Sequence, residues 1–331
     1  MDSCSSDPIA ELLTTYSELN PSTVTVLDEA PSALEFMRFV SLNRPFVVRG
    51  FALDWKATST WSLSHLKYTL SSHQVNVAVT PHGNADSPTL NDDGDLIFVK
   101  PWEESQPFPE FVDFVSQQEL RGRKGEEVRY AQTQNDNLRN EYSSLFTDVE
   151  KDISFARIAL QQDPDAINLW IGNSHSLTSL HKDPYQNIYV QIIGQKHFTL
   201  LPPVFHPCIN EVPLTSSSYI RPTSDTSILT MEPDSPPTEL PIATWDPDVP
   251  SKNPTKYSLL AQPMHVTLEK GDMLYLPALW YHKVGQSCGD EGICVAANYW
   301  YDMDFGGSFW PLCNFVRNVS LQDDGKMKST G

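Results

Sequence analysis

Cysteine is scarce, and the five present (Cys4, Cys208, Cys288, Cys294 and Cys313) are odd in number with no C-x-x-C spacing. A disulfide framework and a cysteine-rich zinc site are thereby excluded. No run approaches the roughly 18 continuous apolar residues that span a bilayer. The opening MDSCSSDPIAELL is polar and acidic, unlike the basic-then-apolar pattern of a secretory signal. Positive charge is also short, with 23 Lys+Arg against 42 Asp+Glu in 331 residues, a formal net charge of −19. A surface this acidic repels phosphate backbones and argues against nucleic acid as a partner, favouring a cationic substrate instead. The expectation is a soluble, reduced, cytoplasmic protein, with nuclear presence open and no membrane partner. Internal repeats are missing too. What is plentiful is core-forming material, 40% hydrophobic and 11% aromatic, enough for one large or two modest domains.

The first 50 residues read as helix, turn, helix and a buried strand, with the second helix over 31–40 and the strand over 44–50. Residues 75–79 alternate as a strand ending in the turn Thr80-Pro81-His82-Gly83, and Phe108 to Leu120 has helical periodicity. Arg121 to Gly125 is a small, solvated basic loop. From Val128 onward the pattern is of short strands with turns between them. Asn187–Ile193 and Lys196–Leu201 carry a hairpin signal around Gly194-Gln195. Val266–Leu268 and Met273–Leu276 flank a turn, and Ile293–Tyr299 is another strand. This punctuation predicts a β-sandwich or barrel of the jelly-roll kind. Ten prolines between Pro207 and Pro254 mark a long irregular excursion. Phe309 to Leu321 places apolar residues at helical spacing, so it covers either the sandwich or a second subunit.

The chemistry centres on Trp170 to Asp183. His181 and Asp183 are two apart, so on an extended strand both project to one face. Imidazole beside carboxylate supplies two ligands of a 2-His-1-carboxylate triad for non-haem Fe(II), and His282, after the strand at 273–276, is the third. Three protein ligands leave three positions, two for a chelating 2-oxo acid such as 2-oxoglutarate and one for O2. Its distal carboxylate needs a cation and hydroxyl donors. Lys196 begins the next strand and can point inward, where a buried lysine implies an anion. Thr178 adds a hydroxyl, and Asn187, sharing the parity of His181, can bind the C1 end. His65, His73, His82, His175, His206 and His265 read as surface or structural residues, and His197 lies on the face opposite Lys196.

The set W-I-G-N, T-x-x-H-x-D-x-x-x-N, G-x-K-x-F-x-L-x-P-P, W-x-H-x-V and N-x-W-Y resembles the JmjC-domain 2-oxoglutarate oxygenases, and more narrowly their small JmjC-only hydroxylases. The resemblance covers most of the chain and implies a mainly β fold. Its core is a double-stranded β-helix over 128–305 with the Pro-rich insertion at about 206–256. An N-terminal α/β extension over 1–127 precedes it, and a helical segment over 306–331 makes a homodimer contact. It implies iron ligation by His181, Asp183 and His282. It places Lys196, Thr178 and Tyr130 at the distal carboxylate of 2-oxoglutarate, and Asn187 and Asn298 near its C1 end. The implied activity is hydroxylation of a lysyl side chain, in a GTP-binding protein for one member of the subgroup, with release of succinate and CO2. Histone-lysine demethylation and tRNA-base hydroxylation are the alternatives within the family. A zinc hydrolase or metal-dependent peptidase would use the same triad but has no need of Lys196. A non-catalytic cupin-type binding module usually lacks a ligand, and here all three are present.

Overall fold

The computed structural model describes residues 7–122, 126–223 and 228–323; Cys4 and Arg123 to Gly125 of the basic loop lie outside them. The N-terminal part runs α1 (Pro8–Leu19), β1 (Thr25–Leu27), α2 (Ala33–Leu42), β2 (Phe46–Val48), α3 (Lys56–Thr60) and α4 (Leu63–Thr69). It continues through β3 (Gln74–Thr80), β4 (Ser87–Leu90), β5 (Leu96–Lys100), β6 (Trp102–Pro107), α5 (Phe108–Arg121) and β7 (Val128–Tyr130). After α6 (Ser154–Leu160) come β8 (Ala166–Gly172), β9 (Thr178–His181), β10 (Tyr185–Ile193), β11 (Gln195–Leu201), β12 (Glu211–Ile220), β13 (Thr230–Pro233) and β14 (Glu239–Ala243). The chain closes with β15 (Met264–Leu268), β16 (Met273–Leu276), β17 (Tyr281–Ser287), β18 (Cys294–Asp302) and α7 (Phe309–Asp323). Among the described residues no helix is long and apolar enough to cross a membrane.

Local chemistry sets the helix ends. Ser32 caps α2 in a reciprocal capping box with Glu35. In α5 the buried Phe108, Phe111, Val112 and Val115 recur at helical spacing, and Gly122 ends the helix with φ +59°.

Two sheets form the core, a jelly roll of the cupin type. The larger runs β1-β2-β16-β10-β18-β8 and the smaller β15-β11-β17-β9. Between them pack Tyr189, Leu274 and Ala296 from one side and Phe198, Leu200 and Val266 from the other. On its outer face the larger sheet buries Tyr275 and Tyr299 against Phe36 of α2 and Trp55, with Phe36 edge-on to Tyr275 at 4.8 Å. Each such fully buried ring stabilises the fold by roughly 2–3 kcal/mol.

The hairpin expected at Gly194 does not form. β10 pairs with β16 and β18, whereas β11 pairs with β15 and β17, so the chain changes sheet at this corner. A register shift between Gln191 and Ile193 bends β10, and Gly194 turns with φ +73° where a Cβ would lie 2.4 Å from the Ser287 carbonyl oxygen. The apolar faces of the two strands then meet across the sandwich, Tyr189 against Phe198 at 5.2 Å. A hairpin would have set them side by side.

The Pro-rich stretch is also more regular than expected. Its strand β12 pairs with β13 and β14 and, in parallel, with β5 of the N-terminal part. Ser216 and Ser217 are buried there, so the strand lacks the hydrophobic alternation by which sequence betrays one. Pro213 sits opposite Pro241, where neither needs to donate to the ladder. The tail is helical, as its spacing predicts. Phe309, Trp310 and Cys313 of α7 pack on Ala278, Leu279 and Met303. Leu312 and Phe315 face outward, 59% and 64% exposed.

Candidate metal and co-substrate site

β9 and β17 are antiparallel neighbours in the smaller sheet, and their register places His282 directly opposite His181. The rings lie 4.1 Å apart between centroids. His181 Nδ1 is 2.8 Å from the Ser179 carbonyl oxygen and His282 Nδ1 is 3.0 Å from that of Trp280. Each carbonyl accepts the Nδ1 proton, which turns both Nε2 atoms toward the same point. Asp183 was expected to follow His181 along one strand, but β9 ends at His181 and a turn brings the carboxylate round. The Leu279 N–H donates to the Asp183 carbonyl at 2.8 Å and fixes that turn. Asp183 Oδ2 is 3.6 Å from Nε2 of both histidines, and the three ligating atoms lie within 4.8 Å of one another. No other such His/Cys/Asp/Glu cluster occurs among the described residues.

Electrostatics prepare this set for a cation. Burial would raise the Asp183 carboxyl, but both imidazoles reverse it and hold the pKa at about 2. Burial and the neighbouring His181 push His282 down to about 4. Burial also opposes charge on His181, yet Asp183 and the Ser179 carbonyl outweigh it and hold that pKa above its ordinary value. One carboxylate already ionised and one imidazole already neutral are what a divalent ion requires. Two imidazole nitrogens and one carboxylate oxygen, with no thiolate, suit ferrous iron.

Deeper between the sheets lies Lys196, 2% exposed on β11. Its Nζ donates to the Tyr130 hydroxyl at 2.9 Å, and among the described residues no carboxylate oxygen lies within ion-pair distance of it. Burial raises the Tyr130 pKa, so this partner is a neutral phenol and the ammonium is left without a counter-anion. Gly172 makes room for Tyr130, because a Cβ there would sit 2.5 Å from the phenol ring. The cavity holding Lys196 and Tyr130 is also lined by Thr178, His181, Asp183, Asn187, His282 and Asn298. A buried relay orders the amides: Trp170 Nε1 donates to Asn298 Oδ1 at 2.9 Å, and Asn298 Nδ2 to Asn187 Oδ1 at 3.1 Å. Asn187 Nδ2 stays uncommitted among the described hydrogen bonds.

All eight residues singled out in the sequence therefore share one cavity. Trp300 lines it as well, its buried Nε1 without a hydrogen-bond partner among the described residues, and so does Gln134. Neither was singled out, although the N-x-W-Y motif contained the first. The remaining histidines stay apart. His197 binds the hydroxyls of Thr267 and Ser287 on the far face of β11, and His206 is buried beside Ser320. Outside the triad opens a cleft of about 720 Å³ that shares Gln134, Trp170, Thr178 and His181 with the inner cavity and whose walls include the β3–β4 turn, Gln132, Glu211, β14 and α7.

Fold and site together define a cupin-like metal protein, and the profile described as a cupin-like domain matches residues 31–307. The chain is 39% identical over 303 residues to "Lysine-specific demethylase JMJ32" of Arabidopsis thaliana, covering 88% of this chain and 85% of that protein. It is 37% identical over 287 residues to "Bifunctional peptidase and (3S)-lysyl hydroxylase JMJD7" of Homo sapiens, 86% of each. It is 35% identical over 296 residues to "JmjC domain-containing protein E" of Dictyostelium discoideum, 84% of each. The chain belongs to the cupin-like JmjC family, oxygenases that use Fe(II), 2-oxoglutarate and O2.

Proposed function

We propose that this protein is an Fe(II)- and 2-oxoglutarate-dependent hydroxylase of a lysyl side chain in a protein substrate. The observation that carries the reading is Lys196, a buried ammonium with no counter-anion, in the same cavity as two imidazoles and a carboxylate aimed at one point. In this reading His181, Asp183 and His282 hold the iron, and Lys196, Thr178 and Tyr130 bind the distal carboxylate of 2-oxoglutarate. Asn187, oriented by Asn298, donates to its C1 end. When bound, iron and co-substrate supply O2-driven oxidation of an unactivated C–H bond, with succinate and CO2 released. The protein contributes orientation. The carbonyls of Ser179 and Trp280 would hold the two Nε2 atoms toward the metal, and Lys196 would fix how deep the co-substrate enters.

Lysine as the target is supported by the activity for which the human relative is named and by the acidity of the chain. Demethylation is the second reading, since the Arabidopsis relative bears that name. The experiment is to incubate the full chain with Fe(II), 2-oxoglutarate, O2 and a panel of lysine peptides, unmethylated and methylated. Gain of one oxygen on an unmethylated lysine, with stoichiometric succinate, is the expected result. Loss of a methyl group would transfer the assignment to demethylation. Peptide-bond cleavage independent of 2-oxoglutarate would overturn it in favour of a peptidase.

A further inference from the structure

The turn after β3 was read from sequence only as a turn, yet it forms one wall of the cleft above the triad. It is fastened to the segment that leads into β9. Gly83 N–H donates to Thr80 Oγ1 at 2.9 Å, and Leu177 N–H donates to the Gly83 carbonyl at 2.9 Å. Gly83, at φ +76°, is seated so closely that a Cβ would lie 1.9 Å from the His175 carbonyl oxygen. The turn ends at Asp86, whose φ of +51° is a left-handed conformation that aspartate tolerates better than most residues. Such outliers persist where the surroundings over-determine them, often at ligand clamps.

Asp86 Oδ2 accepts a hydrogen bond from Gln132 Nε2 at 3.0 Å. Gln132 leaves β7 two residues after Tyr130, so the carboxylate is held from two elements. No Lys, Arg or His nitrogen of the described residues lies within ion-pair distance of it. Asp86 is exposed to solvent at the cleft wall; the protein crowded around it raises its pKa, Glu103 adds to this, and Gln132, His181 and Lys100 oppose it. The other carboxylate lining the cleft, Glu211, is already neutralised by Arg317 and Lys182. Asp86 is thus the cleft's carboxylate without a cation, and it shares that cleft with His181. An accessible carboxylate without a counter-charge, held in orientation by Gln132, offers complementary charge to a cation docking in the cleft.

We infer that Asp86, oriented by Gln132, receives the ammonium group of the substrate side chain and so selects a cationic side chain over a neutral one of the same shape. This rests on the lysyl hydroxylase reading above. With the backbone held in the cleft and the ammonium at Asp86, the methylenes between them are presented to the triad.

The test uses the full chain loaded with Fe(II) and 2-oxoglutarate and a panel of lysine peptides, each paired with a copy carrying norleucine at the same position. The enzymes are wild type, Asp86→Asn and Asp86→Glu. Wild type should prefer lysine in kcat/KM by on the order of tenfold to a hundredfold. Asp86→Asn should bring the two peptides close to parity, chiefly through KM for the lysine peptide, and Asp86→Glu should restore most of the preference. The melting temperature of each variant with and without 2-oxoglutarate reports that it is folded. Should Asp86→Asn not fold, Asp86→Ser takes its place with the same expectation of near parity between lysine and norleucine, and undiminished lysine preference in that folded variant overturns the anchor equally. Undiminished lysine preference in folded Asp86→Asn overturns the anchor while leaving the hydroxylase reading intact. Failure of wild type to oxidise any lysine peptide overturns both.

Discussion

His181 and His282 are opposed residues of the antiparallel β9–β17 pair, and each tethers its Nδ1 to the backbone carbonyl two residues earlier in the chain. The same local device, used from two strands facing each other, fixes both tautomers and both ring planes. Asp183 then needs only a short turn to complete the set.

Replacing His181 or Asp183 by alanine should lower peptide-coupled succinate formation at least a hundredfold and abolish Mn(II) binding by calorimetry. Wild-type turnover in either variant would remove the triad from the mechanism. His282→Ala should behave alike, because a bound metal would take one imidazole from each strand.

Lys196 links affinity and stability in opposite directions. Replacing a buried, uncompensated ammonium by an apolar chain of similar length is often stabilising by about 1–4 kcal/mol. Lys196→Met should therefore raise the melting temperature of the protein without co-substrate, while raising KM for 2-oxoglutarate on the order of a hundredfold. A lowered melting temperature together with unchanged KM would show that Lys196 serves packing instead.

Acid should loosen the docking of α7. Burial alone would push the Glu211 carboxyl up, but His206, Arg317 and Lys182 reverse this and hold it at about 2, below its ordinary 4.5. A carboxylate whose folded pKa is depressed contributes stability above its unfolded pKa and loses it as pH falls through the folded value. The contribution, a few kcal/mol by the size of that shift, should fade from about pH 4.5 toward pH 2. Glu211→Gln should be less stable at neutral pH and show a flatter acid limb in chemical denaturation. A parallel limb in the variant would assign the pH dependence to other groups.

The outward face of α7 is proposed as the homodimer contact. Leu312 and Phe315 leave an apolar strip uncovered on a helix whose other face is already packed. Light scattering should give twice the chain mass for wild type and the chain mass for Leu312→Asp/Phe315→Asp. A monomeric wild type at micromolar concentration would refute this use of the helix.

Much of the site could be read along the chain, because its parts announce themselves by residue type. A histidine two residues before an aspartate, a later W-x-H and a lysine in an otherwise apolar strand are local signals. Asn187 could be read from its shared parity with His181, but Tyr130 and Asn298 needed the family resemblance, since what brings them to the site is cross-strand register. Position alone makes Asp86 and Glu211 informative: a carboxylate's meaning depends on whether Arg317 of a distant helix happens to neutralise it. The corner at Gly194 was misread for a related reason. A glycine turn between two apolar strands looks the same whether they pair or part, and only the bulge at Gln191 decides. β12 escaped notice because serines occupy its buried positions.

β2 completes the larger sheet by pairing with β16, although more than two hundred residues separate them. A fragment begun at residue 128 would therefore expose the hydrogen-bonding edge of β16, with Met273 to Tyr275 unpaired on that side. Such a truncation is expected to aggregate through that bare edge instead of behaving as a minimal enzyme. During synthesis, likewise, the amino-terminal segment must wait for most of the polypeptide to emerge before its partner strand exists.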